Sequence, residues 1–412
     1  MTTGISKRRG LNLKGLLGPA LVAGVAYIDP GNIATNLTAG SEYGYLLVWV
    51  LVLATVSAAL FQFMSAKLGI ATGKSLPVLL GDRFRSGRSR FLFWLQAEAV
   101  AIATDVAEVL GGAIALNLLT QAPLILCALV VAFISLVIAA LRGRGKGQFD
   151  TVVIVLMLLT TFGFSYIMLR SSLDWAGVAA GAIPHFAGTP TLLLASSIIG
   201  ATIMPHAIYA HSSLSRDTLA RSTGVVEQNV AKRLLGVRID VAIAMTLAGI
   251  GNLSVLVFSA ANLRGISGSI GLPDAAGLLD TRIGVGIGLV FVLTMFSSGL
   301  ASSAVGNYAA DEISHGLLSL KVHPFARRLM ALVPALLIIA FTQNVTSAIV
   351  LSQVVLSFGL PFAIFPLVRL SSNRSLMGEH VNGRVISLLG YVIAVLLSAL
   401  NIALIAALVL HA

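Results

Sequence analysis

The sequence predicts an all-α integral membrane fold of eleven transmembrane helices, and three observations predict it. Of 412 residues, 57% are hydrophobic and only 10% are charged, against about 25% charged in an ordinary soluble domain. Apolar stretches long enough to cross a bilayer recur along the whole chain. Basic residues gather between alternate stretches. With a mean hydropathy of +0.95, a disordered chain, a coiled coil and a collagen are all excluded. A soluble protein of this length has too little interior to hide so much apolar surface.

The net charge is +11, from 27 Lys+Arg against 16 Asp+Glu. Basic residues lying between apolar runs point to cytoplasmic loops beside anionic lipid rather than to nucleic acid. The one cysteine, Cys127, lies inside an apolar run and carries no disulfide or metal signal. The N-terminus is basic (Lys7, Arg8, Arg9, Lys14) and leads into a long apolar stretch without a small-x-small cleavage site. That stretch is read as a retained first span.

A span needs about 20 mostly apolar residues to cross ~30 Å of hydrocarbon. On that criterion the spans run 14–40, 43–67, 91–117, 122–141, 149–169, 191–214, 234–258, 284–310, 326–343, 345–368 and 385–411. The connectors near 69–90, 170–190, 216–232 and 259–283 are read as loops. With the N-terminus in the cytoplasm, 24 of the 27 basic residues fall on the cytoplasmic side, leaving only Arg170, Arg264 and Arg282 outside. That is a strong positive-inside signal. The odd span count puts the C-terminus outside.

Two spans carry helix-breaking chemistry at their centres. In the first, the apolar run Leu16–Ile28 gives way to Asp29-Pro30-Gly31-Asn32. In the sixth, Leu192–Ile203 is followed by Met204-Pro205-His206. Proline removes a donor and obstructs the carbonyl four residues back, and glycine loosens the backbone further. Backbone freed at membrane depth is tolerated only where protein or an aqueous cavity satisfies it. Each break lies about 15 residues into its span, roughly 22 Å along the helix and near mid-bilayer. Paired interruptions in corresponding positions of two halves mark a secondary transporter with inverted repeats. The expected division is a first five-helix repeat over 14–169, an inverted second repeat over 191–368 and an additional helix over 385–411. Proline kinks that merely shape packing are common, but a carboxylate at mid-span costs at least ~2.5–3.5 kcal/mol and is functional by default.

Asp29 offers a hard anionic oxygen, Asn32 a neutral carbonyl oxygen one turn on, and Met204 a soft thioether. Unwound carbonyls near Ala26 and Ala201 add further oxygens. Carboxylate and carbonyl suit Mg²⁺, Ca²⁺ and Mn²⁺, whereas a thioether favours softer ions. The mixed set therefore suits a divalent transition ion such as Mn²⁺ or Fe²⁺.

The Asp-Pro-Gly-Asn and Met-Pro-His signatures, in the contexts AYIDPGNIATN and GATIMPHAIYAHS, resemble those of the Nramp family of proton-coupled divalent metal transporters. The stretches ATDVAEVLGGA and LSQVVLSFGLPFA carry the resemblance over the rest of the chain. It implies a LeuT-like 5+5 inverted repeat with helices 1 and 6 interrupted. It further implies Asp29, Asn32, Met204, Ala26 and Ala201 as metal ligands, joined by Gln353 in some conformations. The metal would be cargo rather than cofactor, and a proton its co-substrate.

Glu98, Asp105 and Glu108 share one stripe of the third span, Asp105 about 20° and Glu108 about 80° from Glu98. Carboxylates inside a span should face an interior polar path. With Asp29, His206 and His211 they are candidates for a proton route. Arg327 and Arg328, at the start of the ninth span, are the candidate counter-charges, and in the resembling family such pairs form part of that route. Whether the arginines reach Asp105 depends on helix tilt.

Gly69-Ile-Ala-Thr-Gly73-Lys74-Ser75 resembles a phosphate-binding loop, but it is one residue short and follows no strand. The glycines at 143, 145 and 147 form a basic turn. No His-Glu-x-x-His or Gly-x-Ser-x-Gly set is present, so no enzyme is expected. A sodium-coupled amino-acid carrier of the same fold and a passive cation channel are the rival readings. The expected setting is the cytoplasmic (inner) membrane, with lipid around the chain, no nucleic acid and no obligate protein partner.

Overall fold

The computed structural model describes residues 18–144, 147–222, 230–266, 270–342 and 344–410. The basic residues Lys7, Arg8, Arg9, Lys14 and Lys146 lie outside that set. The described residues form helices and turns throughout, with no strand among them. The first predicted span is two helices, α1 (Pro19–Ile28), which tightens into a 3₁₀ turn over Val25–Ile28, and α2 (Pro30–Tyr43). After it come α3 (Val48–Thr72), α4 (Gly87–Thr120), α5 (Leu124–Ala140) and α6 (Gln148–Arg170). The sixth predicted span is again two helices, α7 (Thr189–Thr202) and α8 (Pro205–Ser222). The chain continues through α9 (Val230–Asn262), α10 (Ile287–Leu318), α11 (Pro324–Phe341), α12 (Val345–Ser371) and α13 (Arg384–Leu410).

Among the described residues eight segments are long and apolar enough to cross a membrane, the joined α7–α8 included. The other three predicted spans also fall on helix, namely the broken α1–α2 pair, α5 and α11. Three of the connectors read as loops contain short helices, Leu76–Gly81, Trp175–Ala180 and Leu272–Arg282. Two of these carry proline in their first turn, where its missing N–H costs nothing and its fixed φ is already helical. The third is capped by Asp174, whose side chain accepts from Gly177 N.

The packing repeats itself across the two halves. Helix α2 lies on α9 as α8 lies on α3. Helix α4 lies on α12 as α10 lies on α6, and α4 meets α11 as α10 meets α5, while α4 pairs with α10 and α3 with α9. Exchanging the first five spans for the second five maps these contacts onto one another. Helix α13 stands outside the scheme, against α12 and α7. It is pinned there by Asn401, whose Nδ2 donates to Ser357 O at 2.7 Å and whose Oδ1 accepts from Ser357 Oγ at 2.8 Å.

Small residues let these helices approach closely, as lipid-embedded packing requires. A Cβ on Gly69 of α3 would stand 2.2 Å from Ser212 O of α8, and one on Gly40 of α2 would stand 2.4 Å from Leu256 O of α9. Gly111 of α4 lies so close to Pro30 that a Cβ there would be 2.1 Å from the proline ring. The break in the first span is therefore wedged directly against α4.

Candidate metal and proton site

Asp29 is the hinge of the first break. It ends the 3₁₀ turn in extended backbone (φ −88°, ψ 168°) and caps α2. Its Oδ1 accepts from Asn32 N and from Asn32 Nδ2, both at 2.8 Å. This is the local logic of an aspartate one residue before a helix, satisfying donors that have no partner within it. Its Oδ2 is buried and has no hydrogen-bond partner. A buried carboxylate oxygen left alone is costly, and this is the observation that fits a cation at the break.

Asn32 joins the two breaks. The same Nδ2 donates to Ala201 O at 2.8 Å, and Asn32 Oδ1 accepts from Thr202 Oγ1 at 3.2 Å. The end of α7 is thus tied to the start of α2. Met204 is wholly buried and sits between α7 and α8, immediately after Ile203 leaves helical geometry (φ −100°, ψ 80°). Ala26 is buried in the 3₁₀ turn. Gln353 of α12 reaches the first break, because a Cβ on Gly31 would stand 2.3 Å from its Nε2. Its Oε1 is also buried without a partner. Among the described residues no three of His, Cys, Asp and Glu converge, so the donor set is of mixed character.

The unwound turn is held from outside its own helix. Asn252 Nδ2 of α9 donates to Tyr27 O, and Ser298 Oγ of α10 donates to Ile28 O, each at 2.5 Å. Below it, Gln62 Nε2 of α3 donates to the Tyr27 hydroxyl, and Gln62 Oε1 accepts from His211 Nδ1 of α8. This chain links α1, α3 and α8. Sequence reasoning singled out His211 but missed Tyr27, Gln62, Asn252 and Ser298. A lone amide in an otherwise apolar span, as at Gln62 and Asn252, was the available signal.

The carboxylate stripe of α4 does meet the arginines, so the tilt question resolves in favour of contact. Arg327 Nη1 lies 2.7 Å from Glu98 Oε1, and Arg328 Nη1 lies 2.6 Å from Asp105 Oδ1. Hydroxyls complete both pairs, Ser314 on Glu98 at 3.0 Å and Ser303 on Asp105 at 2.7 Å. Both arginines sit in the second turn of α11, and α4 begins at Gly87, longer at that end than predicted. Glu108 is different. It lies against Gly306 of α10, both its oxygens lack hydrogen-bond partners, and it feels the charges of Asp105, Asp29 and Arg328. His206 Nδ1 is 3.5 Å from Thr104 Oγ1 of α4, on another face of α8 from His211. The phosphate-loop look-alike is the end of α3, closed by left-handed Gly73, after which Lys74 pairs with Asp82 at 2.8 Å. Of the glycine-rich turn, residue 145 lies outside the described residues.

An all-helical membrane protein with two helices broken face to face around an unpartnered carboxylate belongs to the class of transporters built on interrupted helices. The chain is a member of the Nramp family, because residues 20–407 match the family described as natural resistance-associated macrophage protein-like. It is 44% identical over 393 residues to the divalent metal cation transporter MntH of Mycobacterium tuberculosis, covering 95% of this chain and 91% of the relative. To the transporter of the same name from Bacillus subtilis it is 39% identical, over 94% and 91% of the two chains. The structure superposes on the Eremococcus coleocola manganese transporter, solved in complex with an aromatic bis-isothiourea substituted compound, with a TM-score of 0.85 at 27% identity. That match covers 97% of this chain and 88% of the other. A more distant likeness, TM-score 0.55 at 15% identity, joins it in fold alone to Mhp1 of the nucleobase-cation-symport-1 family. The family is one of membrane transporters, not enzymes.

Proposed function

We propose that this protein imports Mn²⁺, together with Fe²⁺, Co²⁺ and Cd²⁺, across the cytoplasmic membrane by proton-coupled alternating access. The observation that carries the reading is the junction at the breaks, where Asn32 binds both Asp29 and Ala201 and leaves Asp29 Oδ2 without a partner. The relatives named as divalent metal cation transporters and the manganese transporter of similar structure support the choice of cargo. In this reading Asp29, Asn32, Met204, Gln353 and the carbonyls of Ala26 and Ala201 hold the ion. The thioether favours transition ions over Ca²⁺ and Mg²⁺.

Protons take the route of Glu108, Asp105–Arg328 and Glu98–Arg327, with His206 and His211 beside it. Glu108 feels the charges of both Asp29 and Asp105, which suits it to pass a proton from the metal site to the ion pairs. The two repeats, 14–169 and 191–368, rock about the site, and 385–411 is an appendage. The N-terminus is cytoplasmic and the C-terminus extracytoplasmic.

Replacing Asp29 by Ala removes the sole anionic ligand at the break. Mn²⁺ uptake into proteoliposomes by Asp29→Ala is expected to fall to background with the protein still monodisperse. Uptake at the unmodified rate would refute the site.

A further inference from the structure

At the far end of α3 from the extracytoplasmic side, Lys67 and Arg238 approach one aromatic ring. The Lys67 ammonium lies 5.8 Å and the Arg238 guanidinium 5.2 Å from the centroid of Phe63. The charges repel each other, and among the described residues neither cation has a carboxylate partner. Asp240, two residues after Arg238, is engaged elsewhere, accepting from Gly18 N and Ala20 N. Lys67 is buried and donates to Asn382 Oδ1 in the turn before α13. An ammonium cannot accept, so the amide of Asn382 must present its oxygen to Lys67 and keep its Nδ2 for something else. That Nδ2 is buried and has no partner.

The site is thus built of donors alone, and what it lacks is an anion. Its setting narrows the choice. Met64, one residue from Phe63, packs against Gly390 of α13, so α13 flanks this end of α3 as α9 does. The rim carries exposed apolar side chains from both flanking helices, Leu235 and Ile239 on α9 and Val385 and Leu388 on α13. A soluble anion has no use for that rim, whereas a phospholipid fills it with acyl chain. With the N-terminus in the cytoplasm, this edge belongs to the side that receives 24 of the 27 basic residues, and the cytoplasmic leaflet is where anionic lipid is found.

We propose that Lys67, Arg238 and Asn382 form a binding site for the phosphate of an anionic phospholipid, seated between α9 and α13 over the end of α3. Delipidated full-length protein in neutral detergent, melted with added lipid, tests this. Phosphatidylglycerol is expected to raise the melting temperature by roughly 3–6 °C at saturation. Phosphatidylcholine, inorganic phosphate and glycerol 3-phosphate are expected to leave it where it was. The Lys67→Gln/Arg238→Gln variant should lose most of the shift and Lys67→Arg/Arg238→Lys should keep it. If the double glutamine variant does not fold, Arg238→Gln alone, at an exposed position, is expected to lose at least half. A full shift in these neutralised variants, or an equal shift from phosphatidylcholine, would overturn the site. The same shift from inorganic phosphate or glycerol 3-phosphate alone would overturn the lipid assignment.

Discussion

Selectivity at the residue scale turns on one sulfur. The Met204 sulfur is the only soft atom among the proposed ligands, and it lies at the break between α7 and α8. Oxygen ligands alone bind Ca²⁺ and Mg²⁺ well, so the thioether disfavours the commoner hard ions. Met204→Ala is expected to admit Ca²⁺ or Mg²⁺ as effective competitors of Mn²⁺ uptake. Unchanged discrimination in a competition assay would refute the sulfur argument. Most of these residues were legible in the sequence because membrane burial makes them conspicuous. A carboxylate and a proline side by side in an apolar run demand explanation. The supporting hydroxyls, Thr202, Ser298, Ser303 and Ser314, were not legible, since serine and threonine can satisfy themselves on their own helix backbone. Only the fold reveals that these four reach across to other helices.

At the scale of elements, the short helix α1 depends on other helices to hold it. It is only 10 residues long and ends in a 3₁₀ turn, so few of its own hydrogen bonds hold it. Its N-terminus is capped by a side chain from a different helix, Asp240 of α9, which accepts from Ala20 N at 2.8 Å and from Gly18 N at 3.2 Å. Losing a cap costs about 1–2 kcal/mol. Asp240→Ala is therefore expected to speed amide hydrogen exchange across residues 19–28 by about tenfold, as local opening becomes easier. Protection equal to that of the unmodified protein would show that the cap is dispensable. The breaks themselves were readable, because proline dictates them. The cap was not, because Asp240 lies far along the chain and reads as one more charge near a span's end.

The whole molecule joins two circuits. One is the proposed metal site at the breaks, and the other is the row of ion pairs between α4 and α11. Glu108, which feels the charges of both Asp29 and Asp105, is the side chain proposed to link them. A buried ion pair is weak evidence for stability, since desolvation offsets much of its attraction, so two such pairs side by side fit a transport role better than a structural one. Asp105→Asn is expected to leave Mn²⁺ uptake in place while altering its pH dependence or the accompanying acidification of the lumen. Recording both in the same proteoliposomes checks this, and normal behaviour of both would remove Asp105 from the route. In the proposed coupling, an inward proton would add about 2.3 kcal/mol per 100 mV to the drive on the metal. At this scale the sequence was most informative about span placement and least about depth. Hydropathy locates a helix without fixing its tilt, which left the meeting of Asp105 and Arg328 open until the helices were seen together.

The elbow of the first segment has a consequence for how the protein is made. Its two carbonyls at Tyr27 and Ile28 are stitched by Asn252 and Ser298, which leave the ribosome more than 200 residues later. When the first segment enters the bilayer, neither stitch exists. The bend must then be sheltered by water or by the insertion machinery, and the proposed cargo site can close only after the eighth span has been threaded into place.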